Sequence, residues 1–575
     1  MSEESFKIRD LKEMLKETEK NFGENEAYKL KVKKESNNVS NKDNEYKVYT
    51  YKEVIKMINA LGTALISLGL KGKRIAVIGE NRFEWEIAYL SIVCGTGVVV
   101  PLDKSLPENE LKSLIQRSNV DAIFYSNKYE DRLKRIIESK EVNLKYLINM
   151  DLEKINDGVY SEYELIEDGM KLLKEGNREF LNSKINPEEM NIMLFTSGTT
   201  SASKVVALSH KNIVSNLIDL KEILNVTQND RFLSFLPLHH VFEATVGFLL
   251  PIYSGARISF ADSIRDIEKN LKEYKVTFAA FVPAIYENFY KTIIRRLDKK
   301  GLASDYLQKS SMYKEKTWEE KQNAFKEVYE TFGGYSRMFI TGAAPISKEV
   351  HENLRNMGIN VCQGYGLTET SPVDAIETDS IHKVGSIGKA LPSVSLKIDN
   401  KNEDGIGELL VKGPNVMLGY FENEEANKEV FTEDGWFRTG DLAYIDEDGF
   451  VFIKGRKKSV IVLKNGKNIF PEEMENLVNR IDGIKESFVF GKSNTKDKED
   501  IKVFAKVVYD KKVFSTVYNL DSDKDIYNMI NKKIKEINKT MPAYKSIRGI
   551  VLTEEELIKT ASGKIKRHEE IKTIV

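Results

Sequence analysis

The sequence predicts an α/β protein, in which a large, multi-subdomain N-terminal domain with mainly parallel sheets precedes a small α+β C-terminal domain. Helical periodicity alternates with short apolar segments through the first part of the chain, which is typical of parallel sheets covered by helices. Past about residue 455 this alternation stops and a separate set of strands and helices begins. The 575 residues are enough for several domains. We place the boundary between 1–457 and 458–575.

In the N-terminal part, a helix is predicted to begin after Thr50, because Thr50 and Glu53 form a capping-box pattern. Apolar residues at helical spacing extend it to Leu68, and Gly69 can end it. Buried strands are predicted at 74–79, 98–102, 121–125, 144–149 and 192–195. The segment 290–330 is rich in Lys and Glu and has few turn residues, which indicates helices inserted before the next strand.

In the C-terminal part, Pro471 is predicted to start a helix, because proline is favoured in the first turn and acidic residues follow it. Further elements are predicted as strands at 459–463, 487–490 and 503–508 and as a helix at 523–541. This mixture indicates a small α+β domain.

The composition excludes several functional classes. Lys plus Arg number 87 and Asp plus Glu 88, so the net charge of −1 argues against binding nucleic acid or anionic membranes by bulk charge. Two cysteines, Cys94 and Cys362, exclude a disulfide framework and a cysteine-based zinc site, and both are expected to be buried core residues. The acidic, polar start and the lack of ~20 consecutive apolar residues argue against a signal peptide and a membrane span. We therefore expect a soluble, cytoplasmic protein.

The most informative segment runs from Phe195 to Val206. A predicted strand leads into a loop that is rich in hydroxyl side chains and contains Gly198 and Lys204. Backbone N–H groups, hydroxyls and an ammonium can together bind phosphate. A Ser/Thr-rich turn without a ligand is the alternative interpretation. The segment is not a Walker A loop, because Lys204 is followed by Val205 rather than Ser or Thr.

Four other segments favour the phosphate-binding interpretation. The segment 364–369 offers flexible backbone, an aromatic ring, a hydroxyl and a carboxylate. Asp441 lies in a predicted turn, where its carboxylate suits hydrogen bonding to a diol. The basic segment 455–458 precedes the C-terminal domain, and the basic segment 560–567 lies near the C-terminus.

These segments resemble the motifs of the adenylate-forming superfamily, which includes acyl-CoA synthetases, luciferases and the adenylation domains of peptide synthetases. The resemblance extends from about residue 25 to the end, and the motifs occur in family order. The segments 236–243, 290–330 and 434–441 are most similar to long-chain fatty acid–CoA ligases (AMP-forming). The resemblance implies an enzyme that converts a fatty acid and ATP to acyl-adenylate and pyrophosphate, and then transfers the acyl group to CoA.

The resemblance assigns most of the site to ATP. The β- and γ-phosphates would be bound by Thr196, Ser197, Gly198, Thr199, Thr200 and Lys204. Adenine would lie beside Gly342, Ala343, Ala344 and Tyr365, the α-phosphate beside Thr368, and the ribose beside Asp441 and Arg456. Glu369 would bind Mg²⁺, an ion usually held by carboxylates and phosphates.

The resemblance also assigns the reacting groups. Lys564 would stabilise charge where the carboxylate meets the α-phosphate, and Thr196 and Glu369 are the other expected catalytic residues. The acyl substrate would be bound by His240, Gly364 and Gly366, whereas His239 is expected to be incidental. The small domain is expected to be mobile and to rotate between the half-reactions about a hinge near Lys458.

The sequence departs from the family pattern in the phosphate loop. Ser201, Ser203 and Val205 stand where the family has Gly, Pro and Gly, and Ile558 stands where proline is common. Because glycine permits close approach to phosphate, a nucleotide-binding homologue with impaired catalysis is one alternative. A ligase that passes the same adenylate to an acyl-carrier protein is another.

The expected partners are a fatty acid, ATP and CoA, and no nucleic acid. A lipid-like substrate is compatible with peripheral membrane contact, although no anchor is visible in the sequence. The resemblance is also compatible with a homodimer, because some long-chain members dimerise through the large domain.

Overall fold

The chain divides into two compact units. The computed structural model describes residues 8–32, 45–196, 203–463, 467–493, 501–559 and 565–574. The first unit comprises Met1–Thr196, Val205–Leu396 and Val411–Phe437, and the second comprises Ser197–Lys204, Lys397–Leu410 and Arg438–Val575.

Two large sheets form the framework of the first unit. Within the described ranges, the strand order of an eight-stranded sheet is Gly419–Tyr420, Val205–Ser209, Met190–Phe195, Val98–Pro101, Arg74–Ile78, Ala122–Tyr125, Tyr146–Asn149 and Tyr160–Ser161. The order of a nine-stranded sheet is Lys389–Ala390, Ala375–Ile376, Val361–Tyr365, Met338–Thr341, Phe278–Phe281, Arg231–Ser234, Arg257–Phe260, Glu26–Lys31 and Tyr46–Thr50. The central strands of both sheets are parallel, and antiparallel pairs occur towards the ends. The predicted α/β class is therefore confirmed for this unit.

Helices connect these strands. The described helices of the first unit are Leu11–Phe22, Tyr51–Ser67, Phe83–Ser91, Glu108–Ser118, Glu130–Glu138, Glu162–Lys174, Glu179–Asn182, His210–Leu224, Leu250–Ser254, Ile267–Glu273, Pro283–Asp298, Ala303–Met312, Trp318–Ala324, Lys326–Thr331, Lys348–Asn356 and Glu424–Val430. Two π-helical segments, Ile92–Thr96 and Glu243–Leu249, interrupt the pattern. Four of the helices lie between 283 and 331, so the predicted helical insertion is confirmed. No helix in the described part of the chain is long and apolar enough to span a membrane.

The predicted capping box forms at the start of helix Tyr51–Ser67. The Glu53 N–H donates to Thr50 Oγ1 over 3.3 Å, and the Thr50 N–H donates to Glu53 Oε2 over 2.8 Å. These bonds satisfy two N–H groups that a helix start would otherwise leave unpaired. Gly69 follows the helix at a φ of +80°, as expected of a residue that ends a helix.

The second unit contains a four-stranded sheet followed by the elements of the predicted small domain. The four strands are Ser395–Asp399, Gly407–Lys412, Phe437–Ile445 and Val451–Arg456, in that order. A two-stranded sheet pairs Ile461–Val462 with Asn468–Ile469, and a three-stranded sheet contains Ile484–Ser493, Ile501–Tyr509 and Ile547–Thr553. The described helices here are Pro471–Val478, Lys511–Tyr518, Asp523–Lys539 and Arg567–Lys572. The mixture of helices with antiparallel and parallel strands confirms the predicted α+β character.

One predicted strand of this unit is shorter in the structure. The strand expected at 459–463 is reduced to Ile461–Val462, because Lys457–Ser459 form a 3₁₀ turn. The helix expected at Pro471 is present, with proline at its first position and Glu472 and Glu473 in its first turn. The capping signal at Pro471 thus predicted the start of its helix correctly, whereas the short apolar run at 459–463 did not predict the bounds of the strand.

Candidate active site

The predicted phosphate loop connects two paired strands. Strand Met190–Phe195 is antiparallel to strand Val205–Ser209, and Phe195 pairs with Val205. Thr196, Ser203 and Lys204 are half-buried, whereas 197–202 lie outside the described residues, including the expected phosphate ligands Ser197, Gly198, Thr199 and Thr200 and the substituted Ser201. The loop is therefore anchored at both ends by strand pairing.

Val205 shows how the chain accommodates one departure from the family pattern. Its side chain is buried in the same hydrophobic cluster as Ile78 and Met193, and its carbonyl accepts a hydrogen bond from the N–H of Phe421. A β-branched residue suits a buried strand position, where glycine would remove packing and add backbone freedom. Val205 thus extends the strand at this end of the loop.

The segment 364–369 follows directly from a strand of the nine-stranded sheet. Strand Val361–Tyr365 ends at Tyr365, and residues Thr368–Thr370 form a 3₁₀ turn. Gly366 is required for steric reasons, because a Cβ atom there would lie 1.7 Å from the Pro372 carbonyl oxygen. The turn therefore places Thr368 and Glu369 at the carboxyl end of the strand, where ligands bind in open α/β sheets.

The half-buried carboxylate of Glu369 is fixed by a residue that the sequence analysis missed. The Tyr420 hydroxyl donates to Glu369 Oε1 over 2.8 Å, and the Met417 N–H donates to the Glu369 carbonyl over the same distance. Mg²⁺ in proteins usually keeps several water ligands and binds to one or two carboxylates. A half-buried carboxylate that is oriented by a donor on Oε1 fits that environment, because solvent can still reach the ion. Tyr420 lies 51 residues away in sequence, so no local pattern indicates the pairing.

The segment 342–344 lies beside the segment 364–369. Strand Met338–Thr341 is parallel to strand Val361–Tyr365, and both end at the same edge of the sheet. A Cβ atom on Gly342 would lie 3.7 Å from the Gly364 carbonyl oxygen. Ala343 and Ala344 are exposed, and Ala343 has a φ of +69°, which non-glycine residues adopt only at a cost. The structure thus brings together Gly342 and Gly364, with Tyr365 next in the chain.

The two histidines lie in a turn after strand Arg231–Ser234. Their rings are 4.4 Å apart, and His239 Nε2 lies 3.6 Å from Asp103 Oδ2. Burial and the neighbouring His240 lower the pKa of His239 to about 3, so this ring is neutral. Phe242, two residues after His240, reaches the segment 342–344, because a Cβ atom on Gly342 would lie 3.2 Å from the Phe242 Cζ atom.

In the second unit, Asp441 and Arg456 form an ion pair across neighbouring antiparallel strands. Arg456 Nε lies 2.9 Å from Asp441 Oδ1, and Arg456 also donates to the Thr439 carbonyl over 3.2 Å. The predicted turn at Asp441 is wrong, because this residue lies inside strand Phe437–Ile445. The misleading signal was Gly440, whose φ of +71° bends the strand locally without ending it.

Replacing Asp441 by alanine is expected to weaken ATP binding by about 1–3 kcal/mol, through the loss of charge-assisted hydrogen bonds to the ribose. This corresponds to roughly a 5- to 150-fold rise in the Kd for ATP, measured by calorimetry. The matched control is Asp399→Ala. It removes another aspartate–arginine ion pair of the same sheet, in which Arg438 lies 3.0 Å from Asp399. An unchanged Kd in Asp441→Ala would contradict the ribose assignment.

Two further predicted residues lie in the second unit. Lys458 is exposed and lies in the 3₁₀ turn Lys457–Ser459. Lys564 lies outside the described residues, but Lys559 and Ile565, on either side of the undescribed segment 560–564, form an antiparallel bridge. Lys559 Nζ pairs with Glu486 Oε2 over 2.8 Å, so one end of the lysine-bearing segment is fixed to a strand.

A second polar cluster lies beside the strand that carries Tyr365. His351, Glu377 and His382 have donor atoms within 4.8 Å of one another, which is compatible with a metal ion. The Glu377 carboxylate, however, already accepts hydrogen bonds from the N–H groups of Gln363 and Lys383 and lies 2.7 Å from His382 Nδ1. His351 Nε2 lies 2.9 Å from the Val361 carbonyl. We therefore interpret this cluster as an anchor for strand Val361–Tyr365.

Both cysteines are free and buried, as predicted. Burial raises the pKa of the Cys362 thiol to about 12 and that of Cys94 further still. A thiol that remains protonated at neutral pH is a poor nucleophile. Neither cysteine therefore resembles a catalytic thiolate.

Known protein families and curated proteins match this chain over most of its length. The AMP-binding enzyme family matches residues 26–421, and the AMP-binding enzyme C-terminal domain matches residues 458–573. Long-chain-fatty-acid–CoA ligase 5 of Rattus norvegicus is 30% identical over 78% of this chain and 70% of its own. Long chain acyl-CoA synthetase 3 of Arabidopsis thaliana is 29% identical over 81% of this chain and 76% of its own.

Solved structures show the same fold. ATP-bound MatB from Rhodopseudomonas palustris has a TM-score of 0.74 at 24% identity, with 99% of both chains covered. An O-succinylbenzoate CoA synthetase from Bacillus subtilis, in complex with ATP and magnesium ion, has a TM-score of 0.72 at 22% identity. That alignment covers 97% of this chain and 99% of the synthetase. The predicted fold class is confirmed for the whole chain.

Proposed function

Because this chain belongs to the AMP-binding enzyme family, we propose that it is an ATP-dependent long-chain fatty acid–CoA ligase. The observation that carries the proposal is the pair of parallel strands Met338–Thr341 and Val361–Tyr365. They deliver the segments 342–344 and 364–369 to one edge of a sheet, where a nucleotide can bind. The fatty-acid specificity is supported by relatives named long-chain-fatty-acid–CoA ligases, at up to 30% identity.

The proposed reaction has two steps. An oxygen of the fatty-acid carboxylate attacks the α-phosphorus of ATP, the bond to the β-phosphate breaks, and pyrophosphate leaves with the electron pair. The CoA thiol then loses its proton to solvent, and its sulfur attacks the acyl carbon. The bond between that carbon and the phosphate oxygen of AMP breaks, and AMP leaves with the electron pair, which gives the thioester. Both steps depend on positioning and charge stabilisation rather than on covalent chemistry by the protein.

The residue assignments are part of this proposal. Thr368 would contact the α-phosphate, and Glu369 would hold Mg²⁺, which neutralises phosphate charge. The phosphate loop, with Thr196 and Lys204 at its ends, would bind the β- and γ-phosphates. Asp441 and Arg456 would contact the ribose, and Lys564 would contact the reacting oxygens. His240, Gly364 and Gly366 would line the acyl site.

We propose the domain division 1–457 and 458–575, with a hinge near Lys458. It is supported by the family matches, which end at 421 and resume at 458, and by the exposed 3₁₀ turn at Lys457–Ser459. A short exposed turn can absorb large backbone rotations without disturbing a core.

Lys458→Pro tests the hinge. Fixing φ at this position is expected to slow thioester formation by about tenfold or more while adenylate formation changes less, because only the second half-reaction needs the rotated domain. Stopped-flow measurement of both half-reactions checks this, with Lys457→Ala as a neighbouring charge control. Equal slowing of both steps would count against a hinge at Lys458.

The proposed function is tested by pyrophosphate release from a panel of fatty acids, with ATP and Mg²⁺ saturating. Release that requires a long-chain fatty acid, with acyl-CoA formed when CoA is added, is the expected result. Thioester formation on an acyl-carrier protein but not on CoA would indicate the carrier-protein ligase. Absence of fatty-acid-dependent release would indicate the catalytically impaired homologue.

We also propose a cytoplasmic location with peripheral membrane contact, since the substrate is lipid-like. Co-sedimentation with phosphatidylcholine vesicles containing oleate measures that contact. A homodimer is the proposed assembly, and light scattering coupled to size exclusion measures the mass against 65.7 kDa for one chain.

A further inference from the structure

A cluster of buried polar groups lies behind the turn that carries His240. Strand Arg231–Ser234 ends at Ser234, the chain turns through 235–242, and a π-helical segment begins at Glu243. The turn is closed by the His240 N–H, which donates to the Pro237 carbonyl over 3.0 Å, and by the Ala244 N–H, which donates to the His240 carbonyl. Insertions that create π-helical segments are frequent at functional sites.

Glu243 holds this turn from its C-terminal end. Its side chain is 1% exposed, and Oε1 accepts hydrogen bonds from Ser234 Oγ over 2.7 Å and from the Phe235 N–H over 3.2 Å. Gly247 leaves room for the carboxyl group, since a Cβ atom there would lie 2.5 Å from Glu243 Oε1. The two ends of the turn are therefore joined through one carboxyl group.

Asn81 holds the same turn from a different part of the fold. Its Nδ2 donates to Ser234 Oγ over 3.0 Å and to the Leu236 carbonyl over 2.6 Å. Its Oδ1 accepts from the Leu238 N–H over 3.3 Å. Glu243 and Asn81 share Ser234 Oγ, so the side chains form one connected network around the turn.

We infer that Glu243 and Asn81 are positioning residues for the acyl-binding turn 235–242, which they hold in place for the fatty-acid carboxylate. Neither residue is assigned to the reacting atoms. Phe242, next to Glu243, packs against the position of Gly342, so the same network also sets the spacing between the turn and the loop 342–344. The inference rests on the proposed function, because it uses His240 as an acyl-site residue.

Glu243 also faces a second buried acid. Glu86, on helix Phe83–Ser91, is fully buried and accepts a hydrogen bond from the Tyr28 hydroxyl; burial and the Glu243 carboxyl raise the pKa of Glu86 well above its ordinary value. Burial raises the pKa of Glu243 to about 8, although the bonds from Ser234 and Phe235 oppose this shift. Burial therefore favours the protonated form of this carboxyl group.

The experiment compares Glu243→Ala, Glu243→Gln and Gly247→Ala in fatty-acid-dependent pyrophosphate release. Glu243→Ala is expected to raise the KM for fatty acid about tenfold, with a smaller change in the KM for ATP. Glu243→Gln retains an oxygen acceptor at the same place and is expected to keep the fatty-acid KM within about twofold. Gly247→Ala displaces the carboxyl group while Glu243 is retained, and is expected to reproduce the effect of Glu243→Ala.

The matched control is Glu162→Gln. Glu162 is a fully buried acid of the same unit whose pKa burial also raises, but its carboxylate oxygens have no hydrogen-bond partner among the described residues. This variant is expected to leave both KM values unchanged. Asn81→Ala is expected to raise the fatty-acid KM by about as much as Glu243→Ala, because it breaks the same network.

A pH series adds a measurement that does not depend on activity. The pKa of Glu243 is higher in the folded protein than its ordinary value of 4.5, so its contribution to stability is lost as pH rises towards about 8. The melting temperature of the wild type is therefore expected to fall relative to that of Glu243→Gln between about pH 4.5 and 8.

Three outcomes would overturn the inference. They are an unchanged fatty-acid KM in Glu243→Ala, an equal increase in the fatty-acid and ATP KM values, and failure of Glu243→Gln to restore the fatty-acid KM. Each of these requires an active wild-type enzyme. If the wild type itself shows no fatty-acid-dependent pyrophosphate release, the proposed function fails instead, so the two failures are distinguishable.

Discussion

Replacing Lys564 by alanine is expected to slow acyl-adenylate formation by roughly 100- to 1,000-fold, the size of effect seen when one donor to a developing charge is removed. The fatty-acid carboxylate and the ATP α-phosphate are both negative, so their approach needs a cation at the reacting oxygens. Thioester formation from supplied acyl-adenylate is expected to change little, because that step begins after pyrophosphate has left. The measurements are pyrophosphate release for the first step and thioester formation for the second.

Lys559→Ala is the matched control for this prediction. Lys559 lies five residues earlier and pairs with Glu486 Oε2 over 2.8 Å, while the Leu557 N–H donates to Glu486 Oε1 over 3.0 Å. Removing it alters the base of the same segment and the same net charge but not the proposed catalytic ammonium. If Lys564→Ala impaired both half-reactions equally, or if Lys559→Ala had the same effect, the assigned role of Lys564 would be refuted.

The features that the sequence predicted well depend on local interactions. The capping box at Thr50 and the proline at the start of helix Pro471–Val478 involve residues within one turn of each other. Buried strands such as Arg74–Ile78 appear as apolar runs, because helices cover both faces of a parallel sheet. The positions of these elements could therefore be predicted from short stretches of sequence.

The features that the sequence did not predict depend on contacts between distant residues. Tyr420 and Glu369 are 51 residues apart, and Asn81 and Ser234 are 153 apart. Glu243 stood out in the sequence only as the last residue of the segment 236–243, without a signal for its partners. The expected turn at Asp441 failed for a related reason, since strand pairing with Val451–Arg456 determines its conformation more than the local glycine does.

Two of the departures from the family pattern, Val205 and Ile558, have structural explanations. Val205 continues a strand and fills the core, as described above. The N–H of Ile558 donates to Glu570 Oε2 over 2.8 Å, a bond that proline could not make. Glu570 is fully buried and also pairs with Lys506, so this bond helps to connect the segment before Lys559 to helix Arg567–Lys572. At position 558, the backbone restriction that proline would impose is thus absent, and a hydrogen bond from the Ile558 N–H to Glu570 is present instead.

Replacing Glu369 by glutamine is expected to lower kcat for adenylate formation by about 100-fold or more, and to raise the Mg²⁺ concentration needed for half-maximal rate. The amide keeps the size of the side chain but removes the charge that a Mg²⁺ ligand supplies, an effect worth several kcal/mol in the transition state. Titration of pyrophosphate release with Mg²⁺ measures both changes. Glu369→Asp keeps the charge and is expected to restore part of the rate.

Tyr420→Phe separates metal binding from mere positioning of the carboxylate. It removes the 2.8 Å hydrogen bond to Glu369 Oε1, and residues that orient a metal ligand typically contribute 10- to 100-fold. We therefore expect roughly a tenfold rise in the Mg²⁺ requirement, smaller than that of Glu369→Gln, with little change in melting temperature. Tyr420 is buried in the core, but phenylalanine retains the ring and hence the packing. If the Mg²⁺ requirement of Glu369→Gln stays at the wild-type value, Glu369 is not a Mg²⁺ ligand, whatever the result for Tyr420→Phe.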